Sequence, residues 1–478
     1  MKKLVFAILV MAAIISCKEN KNEPAVETGA ITQPDIAPIT DELAETAVIY
    51  EANIRQYSPE GTFKAFAKDI PVLKELGVKI IWVMPINKIS EVKRKATDNK
   101  FTSEIEDENE RKKYLGSYYS VSDYRSINPE FGTLEDFKDL VDVAHKNGIY
   151  VIVDWVPNHT GWDHPWIEEH PEYYTQNEAG EIIDPINPDT GESWGWTDVA
   201  DLNYDNQEMR NAMISDLKYW VEEFNIDGYR MDVAHKVPAD FFKRAIDTLK
   251  AIKPVFMLAE AEQLDLLQNG FDMHYAWEGH HIFNQIAMGE KTLKDFDEYM
   301  LKTDTVLKIK GINMNFVTNH DENSWKGTLK ERMPHSKEIF TALSYTIPGM
   351  PLLYSGQEYD LEHRLKFFEK DSIPKTKGAY FEFLKNMGQL KNTNKALNGG
   401  TQPAAYKRLN ADNENVLVFQ RAKDGDTLIF IGNFSKEIQT ITPEATGEFT
   451  DFLLSQTTKL EGGTVTLQPW EFRILVNN

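Results

Sequence analysis

The chain has 478 residues, 41% of them hydrophobic, and a formal net charge of −23 at pH 7. That is more apolar material than one small core needs, so two or three domains are expected. So large an excess of acid repels phosphate backbones and argues against nucleic acid as a partner.

The chain opens with Lys2 and Lys3, followed by an apolar run from Leu4 to Ile15 that is too short to span a bilayer as a mature helix. The run ends at Ser16-Cys17. A small residue before Cys resembles the bacterial lipobox, in which the cysteine is lipidated and becomes the new N-terminus. Cys17 is the single cysteine of the chain, so it has no internal disulfide partner and another use for its thiol is expected. Residues 1–17 therefore read as a lipoprotein signal peptide, with a plain export signal as the alternative. Residues 18–40, rich in Lys, Glu, Asn, Pro and Thr, read as a flexible tether. The expected location is the envelope of a bacterial cell, with the exported protein held to a membrane by a lipid on Cys17.

From Asp41 onward, apolar runs of strand length alternate with segments of helical period, the pattern of βα units on a parallel sheet. Ala47–Tyr50 predicts a first strand, Phe63–Leu76 a helix closed by Gly77, and Val78–Val83 a second strand. Leu134–Lys146 predicts a helix and Ile149–Val153 a strand. Met209–Phe224 predicts another helix, before a strand around Gly228. Val255–Leu258, Ile312–Val317 and Met350–Tyr354 predict later strands, with a faint sixth near Phe271–Tyr275. The expected fold class is α/β, a (β/α)8 barrel over residues 41–400.

Two stretches leave this alternation. Residues 158–205, rich in Pro, Gly, Asp and Trp, read as a small domain inserted after the third strand, and a loop of that length is usually functional. Most of the tryptophans in and beside it (Trp155, Trp162, Trp166, Trp194, Trp196) are expected to form its core. Residues 401–478 carry the short apolar runs Val416–Gln420, Thr427–Gly432, Thr464–Leu467 and Phe472–Val476, with hairpin signals at Asp424-Gly425 and Gly462-Gly463. They read as a C-terminal β-sandwich domain. The charged stretch Lys88–Lys113 reads as a solvated insertion.

Polar residues gather where the apolar strands end. Asp154, Asn158 and His159 follow the third strand, and Arg230 and Asp232 lie at the fourth. Glu260 follows Val255–Ala259, and Asn319, His320 and Asp321 follow Asn315–Thr318. In a barrel enzyme those ends face the active site, so four strands deliver carboxylates to one rim. Any one of them could be a loop cap; four together are hard to explain that way. Arg230 and Asp232, two apart on a strand, share a face, and the guanidinium favours an ionised carboxylate.

Glycoside hydrolysis needs one ionised and one protonated carboxyl group. Asp232 suits the first role. Glu260, after a strongly apolar strand, suits the second, with Glu262 as the alternative acid. Asp321 is placed to grip sugar hydroxyls, and His159 and His320 to donate hydrogen bonds to sugar oxygens. Histidines among acids also raise the thought of zinc, but no H-E-x-x-H or similar spacing occurs.

These residues stand in ordered motifs that resemble those of the alpha-amylase family, glycoside hydrolase family thirteen, from about Thr46 to the C-terminus. Asp154-Trp-Val-Pro-Asn158-His159 looks like its first motif and Gly228-Tyr-Arg230-Met-Asp232 like the second. Glu260 falls where the third carries the acid/base, and Phe316-Val-Thr-Asn319-His320-Asp321 looks like the fourth. Gly349 to Glu358 is similar to the signature near the last barrel strand. The resemblance implies Asp232 as nucleophile, Glu260 as acid/base and Asp321 as transition-state stabiliser. It implies Tyr119, in Gly116-Ser-Tyr-Tyr-Ser, as the ring stacked on the sugar at the cleavage point, with Asp154, His159, Arg230, Asn319 and His320 also around the substrate. It implies calcium bound through Asn158 and Asp201, the latter in Ala200-Asp201-Leu202-Asn203. Two departures stand out. His235 and Lys236 occupy, in reversed order, the positions where many relatives have Lys then His beyond the nucleophile, and no aromatic follows Glu260. The implied activity is retaining hydrolysis of α-1,4-glucosidic bonds in starch-like glucans or maltooligosaccharides. A cyclomaltodextrinase, neopullulanase-like or transglycosylating enzyme is the near alternative, and a non-catalytic glucan-binding protein the distant one.

Overall fold

In the computed structural model, which describes residues 36–477, eight short strands pair edge to edge until the last meets the first. They are β1 (Val48–Ala52), β2 (Val78–Val83), β3 (Tyr150–Trp155), β4 (Gly228–Met231), β5 (Phe256–Ala259), β6 (Met273–Tyr275), β7 (Ile312–Asn315) and β8 (Met350–Tyr354). Every pairing is parallel, and β1 closes the barrel against both β2 and β8. Cys17, the apolar leader and nearly all of the tether lie outside the described residues.

Side chains alternate across each strand, and this sorts the core into two parts. Ile49, Ile80, Ile152, Phe256, Leu258, Met273, Ile312 and Leu352 fill the barrel interior. Val48, Ile81, Val151, Tyr229 and Met257 face the surrounding helices. Along the inward positions the chemistry changes from bottom to top. Ile49 is followed by Glu51, Ile152 by Asp154, Gly228 by Arg230 and Asp232, and Leu258 by Glu260. The apolar layers close the barrel and the polar residues crown its C-terminal mouth.

Local chemistry sets the element boundaries. Thr133 and Asp136 form a capping box at the start of helix Leu134–Lys146, and Asn206 caps Gln207–Phe224. The single helix expected over Phe63–Leu76 is two, Phe63–Ala67 and Ile70–Glu75, because Pro71 starts a new first turn. The strand expected over Ile312–Val317 stops at Asn315.

The C-terminal part holds a six-stranded antiparallel sheet. Its order is Ala405–Leu409, Val416–Lys423, Asp426–Asn433, Phe472–Val476, Gly447–Asp451, Gln456–Leu460. Asp424 and Gly425, both at positive φ, make its tightest hairpin. The pair Gln439–Ile441 and Val465–Leu467 covers a core of Val418, Ile431, Phe449 and Leu467. The other face, with Leu417, Phe419 and Phe430, joins the outer core of the barrel.

Candidate active site

Arg230 is the hub of the barrel mouth. It is fully buried, and its Nη1 donates to Asp154 Oδ1 and Asp232 Oδ1, both at 2.8 Å. Its Nη2 lies 3.1 Å from Glu260 Oε1, and Nε donates to the Tyr275 hydroxyl at 3.2 Å. Three carboxylates from three neighbouring strand ends thus share one guanidinium. Burial opposes its charge, yet Asp154, Glu260 and Tyr275 hold the proton and raise the Arg230 pKa further.

The backbone explains how the acids reach it. The ladder runs one residue past the strands: Asp232 N–H donates to Trp155 O at 2.8 Å, and Glu260 N–H to Met231 O at 3.0 Å. Gly228 lets β4 and β5 approach, since a Cβ there would sit 1.8 Å from Phe256 O. Directly after Asp232 the chain turns through Val233, whose φ of 40° and ψ of 42° are strained for a β-branched residue. The turn aims the Val233 N–H at Glu260 Oε2, 2.6 Å away.

Asp154 also accepts from the Trp82 indole at 3.0 Å and the Tyr119 hydroxyl at 3.2 Å, and burial pushes its carboxyl up to about 6 against the pull of Arg230. The Asp232 carboxyl is raised by burial, with Glu260 and Asp154 adding to the effect and Arg230 opposing it. This corrects the view taken from the Arg230–Asp232 pair alone. One guanidinium shared among three carboxylates does not offset the desolvation of Asp154 and Asp232.

Across the mouth, His320 Nδ1 lies 2.5 Å from Glu51 Oε1, and Nε2 lies 2.8 Å from the Tyr119 hydroxyl and 3.5 Å from Asp321 Oδ2. Burial acts against its charge, but Asp321 and Glu51 outweigh it and raise His320 to about 9. Asp321 opens onto the cavity with a side chain 40% accessible, while the surrounding protein raises its carboxyl despite His320. A cavity of about 260 Å3 lies between these groups, lined by Tyr119, His159, Asp232, Glu260, His320 and Asp321, with Lys95, Trp196 and Phe367 on its walls.

Other expected residues lie elsewhere. His159 lines the cavity, but burial takes its imidazole down to about 3, so it is neutral. Asn319 is buried and its Oδ1 accepts the Glu322 N–H at 2.8 Å, so it shapes the turn that carries Asp321. His235 is exposed and outside the cavity lining. Lys236 lies over the rings of Trp194 and Trp196, at 3.8 and 4.9 Å. Trp194 is 42% exposed, so this pair is wall and not the core of the inserted segment. Glu262 accepts from the Glu278 N–H and lies outside the lining. The charged stretch Lys88–Lys113 is not simply solvated: Lys95 is buried, donates to Gly195 O at 2.8 Å and pairs with Asp198 at 3.4 Å.

Asn158 and Asp201 come together on the hairpin of His159–Gly161 with Val199–Asp201. Calcium takes six to eight oxygens. Here Asp201 Oδ2 already accepts from Thr175 at 2.7 Å, and the Lys236 ammonium lies within electrostatic reach. Burial pushes the Asp201 carboxyl up to about 6, opposed by Thr175 and Lys236. No group of three or more His, Cys, Asp or Glu side chains suited to a metal occurs among the described residues. The side chains present do not fit a calcium shell.

Sequence reasoning missed Glu51, Trp82 and Tyr275, all of which support the hub residues from inside the barrel. For Glu51 a signal existed: it is the one charge in the apolar strand Val48–Ala52.

A family model described as the alpha-amylase catalytic domain matches residues 41–250, and one described as a beta-galactosidase C-terminal domain matches residues 415–477. An alpha-amylase of Haloarcula japonica is 24% identical over 421 residues, covering 86% of this chain and 58% of that protein. A maltogenic alpha-amylase of Bacillus acidopullulyticus is 30% identical over 323 residues, covering 63% of this chain and 50% of that protein. The chain therefore spans about half the length of these two relatives. The crystal structure of a maltogenic alpha-amylase from Thermotoga neapolitana superposes with a TM-score of 0.78 at 26% identity, covering 91% of this chain and 99% of that one.

Proposed function

We propose, since the chain belongs to the alpha-amylase family, that it is a retaining glycoside hydrolase cleaving α-1,4-glucosidic bonds in starch-like glucans or maltooligosaccharides. The observation that carries this reading is the convergence of Asp232 and Glu260 on the Arg230 guanidinium, with Asp321 facing the same cavity.

In this mechanism an Asp232 oxygen attacks the anomeric carbon while Glu260 gives its proton to the departing glycosidic oxygen. The C–O bond to the leaving chain breaks and a glycosyl ester on Asp232 forms. Glu260, now ionised, takes a proton from water, whose oxygen displaces Asp232 and restores both groups. Two acids anchored on one guanidinium suit the short separation of retaining enzymes better than the wider gap that admits a water. Asp232 must be ionised when it attacks. Arg230 and the positive charge growing on the sugar ring favour that state against burial. Tyr119 presents its ring to the same sugar, with its hydroxyl held between Asp154 and His320, and Asp321 is placed to strengthen its hold as the ring flattens.

The reading extends to location. Lys2-Lys3, the apolar run Leu4–Ile15 and Ser16-Cys17 support export and lipid attachment at Cys17 in a bacterial envelope, with the hydrolase held at a membrane surface.

Proton NMR of the first sugars released from a maltooligosaccharide tests the mechanism. The α anomer should appear first, and Asp232→Asn should lose turnover by several orders of magnitude while keeping its melting temperature. A β anomer at early times refutes Asp232 as nucleophile.

A further inference from the structure

Immediately after Asp321 the chain makes a π-helical turn, Glu322–Lys326, closed by the Gly327 N–H on Glu322 O at 2.8 Å. Such turns are uncommon and frequently lie at functional sites. This one presents Trp325 with 41% of its surface open, one of the few large aromatic side chains so exposed among the described residues. Below Trp325 lies Phe367, ring centroids 5.1 Å apart, and beside it Phe368 at 6.0 Å. Phe367 in turn stacks on Tyr119, 6.5 Å away and 12° from parallel. Tyr119 stands over the catalytic cavity, so a run of rings leads from the site of cleavage outward.

The platform is braced. Ser324 Oγ donates to Leu365 O at 3.0 Å, and Asn323 Oδ1 accepts the Leu365 N–H at 2.8 Å. The Leu115 N–H donates to Phe368 O at 2.6 Å. Beyond it opens a second cavity of about 470 Å3, which shares Asp98, Trp325, Phe367 and Phe368 with the catalytic one. Asn99 and Arg364 stand on its walls. An aromatic face flanked by donors and acceptors matches a pyranose ring, which has apolar C–H faces and a hydroxyl rim.

We propose that this groove is a further glucan-binding site, in which Trp325 stacks on a sugar unit of the chain beyond those held in the catalytic cavity. It makes the protein prefer long α-glucan chains to short ones. The inference rests on the hydrolase reading above, and its test separates the two.

The test compares kcat/KM for maltotriose and maltoheptaose in the full chain and in Trp325→Ala and Trp325→Phe. Trp325→Ala should lower kcat/KM about tenfold for maltoheptaose, the loss of one stacked ring face, and less than about twofold for maltotriose. Trp325→Phe should recover part of the loss, and melting curves show whether each variant is folded. Equal losses on both substrates, or none on either, overturn the groove and leave the hydrolase reading standing. If the wild-type chain cleaves neither sugar, the hydrolase reading fails. Calorimetric titration of maltoheptaose into wild type and Trp325→Ala then decides the groove: weaker binding in the variant supports it, and equal or absent binding overturns it.

Discussion

Glu51→Gln changes one buried charge at the base of the site and keeps the shape of the side chain. His320 has its pKa raised to about 9, against burial, by Asp321 and by Glu51 at 2.5 Å. Measured from an ordinary value near 6.5, that displacement corresponds to about 3.4 kcal/mol. The sign follows from linkage: a histidine whose folded pKa is raised contributes its full stabilisation below about 6.5 and loses it as pH climbs through about 9. The figure is an upper bound for the pair, because burial also raises the Glu51 carboxyl, and ionising that group inside the barrel costs free energy. Since Asp321 shares the effect, glutamine at 51 should lower the His320 pKa by at least about 1. Two readouts follow. The alkaline limb of kcat/KM for maltoheptaose should move to lower pH by the same amount, and the melting temperature should fall more at pH 6 than at pH 9.5. The imidazole resonances of His320, followed by NMR across the pH range, check the titration directly. An alkaline limb that stays in place would show that the charge of His320 has no part in the reaction, and the argument would fail.

Two further outcomes are expected. Because Thr175 already holds Asp201 and the Lys236 ammonium lies near it, a chelator should leave the melting temperature within about 1 °C of its value without one; a lower melt, with calcium found by elemental analysis, would reverse that conclusion. Cys17→Ala should release the protein from membranes without altering its specific activity, and a variant that still sediments with membranes would remove the lipid anchor.

The strand ends were legible because each one shows an abrupt step from apolar to charged residues. Val151-Ile152-Val153 to Asp154 and Met257-Leu258-Ala259 to Glu260 need no partner to be noticed. What lies below the rim was harder to see. Trp82 and Tyr275 look like ordinary apolar members of β2 and β6. Only the registers of the closed barrel put Trp82 against Asp154 and Tyr275 against Arg230. The strands Gly447–Asp451 and Gln456–Leu460 went unread because their exposed faces carry Glu448, Thr457 and Lys459, so neither shows an apolar run. The groove at Trp325 depends on a turn type with no sequence signature, set against a segment about forty residues further on.

The protonation of the site shows most clearly why pairs read from sequence mislead. Arg230 beside Asp232 looks like a guanidinium reserved for one carboxylate. In the barrel it serves Asp154 and Glu260 as well, and His320 answers to Glu51 and Asp321. Five acids thus surround two cations at the barrel mouth. Burial raises the carboxyls of Asp154, Asp232 and Asp321, and the deficit of positive charge leaves that rise uncompensated. A neutral sugar does little to relieve it. In the proposed hydrolysis a ring acquiring positive charge at its anomeric carbon relieves it directly, and does so most at the moment of bond cleavage. The same excess of buried acid that makes these charges costly therefore suits the site to the transition state of the proposed reaction and not to its substrate, which is the condition for lowering the barrier.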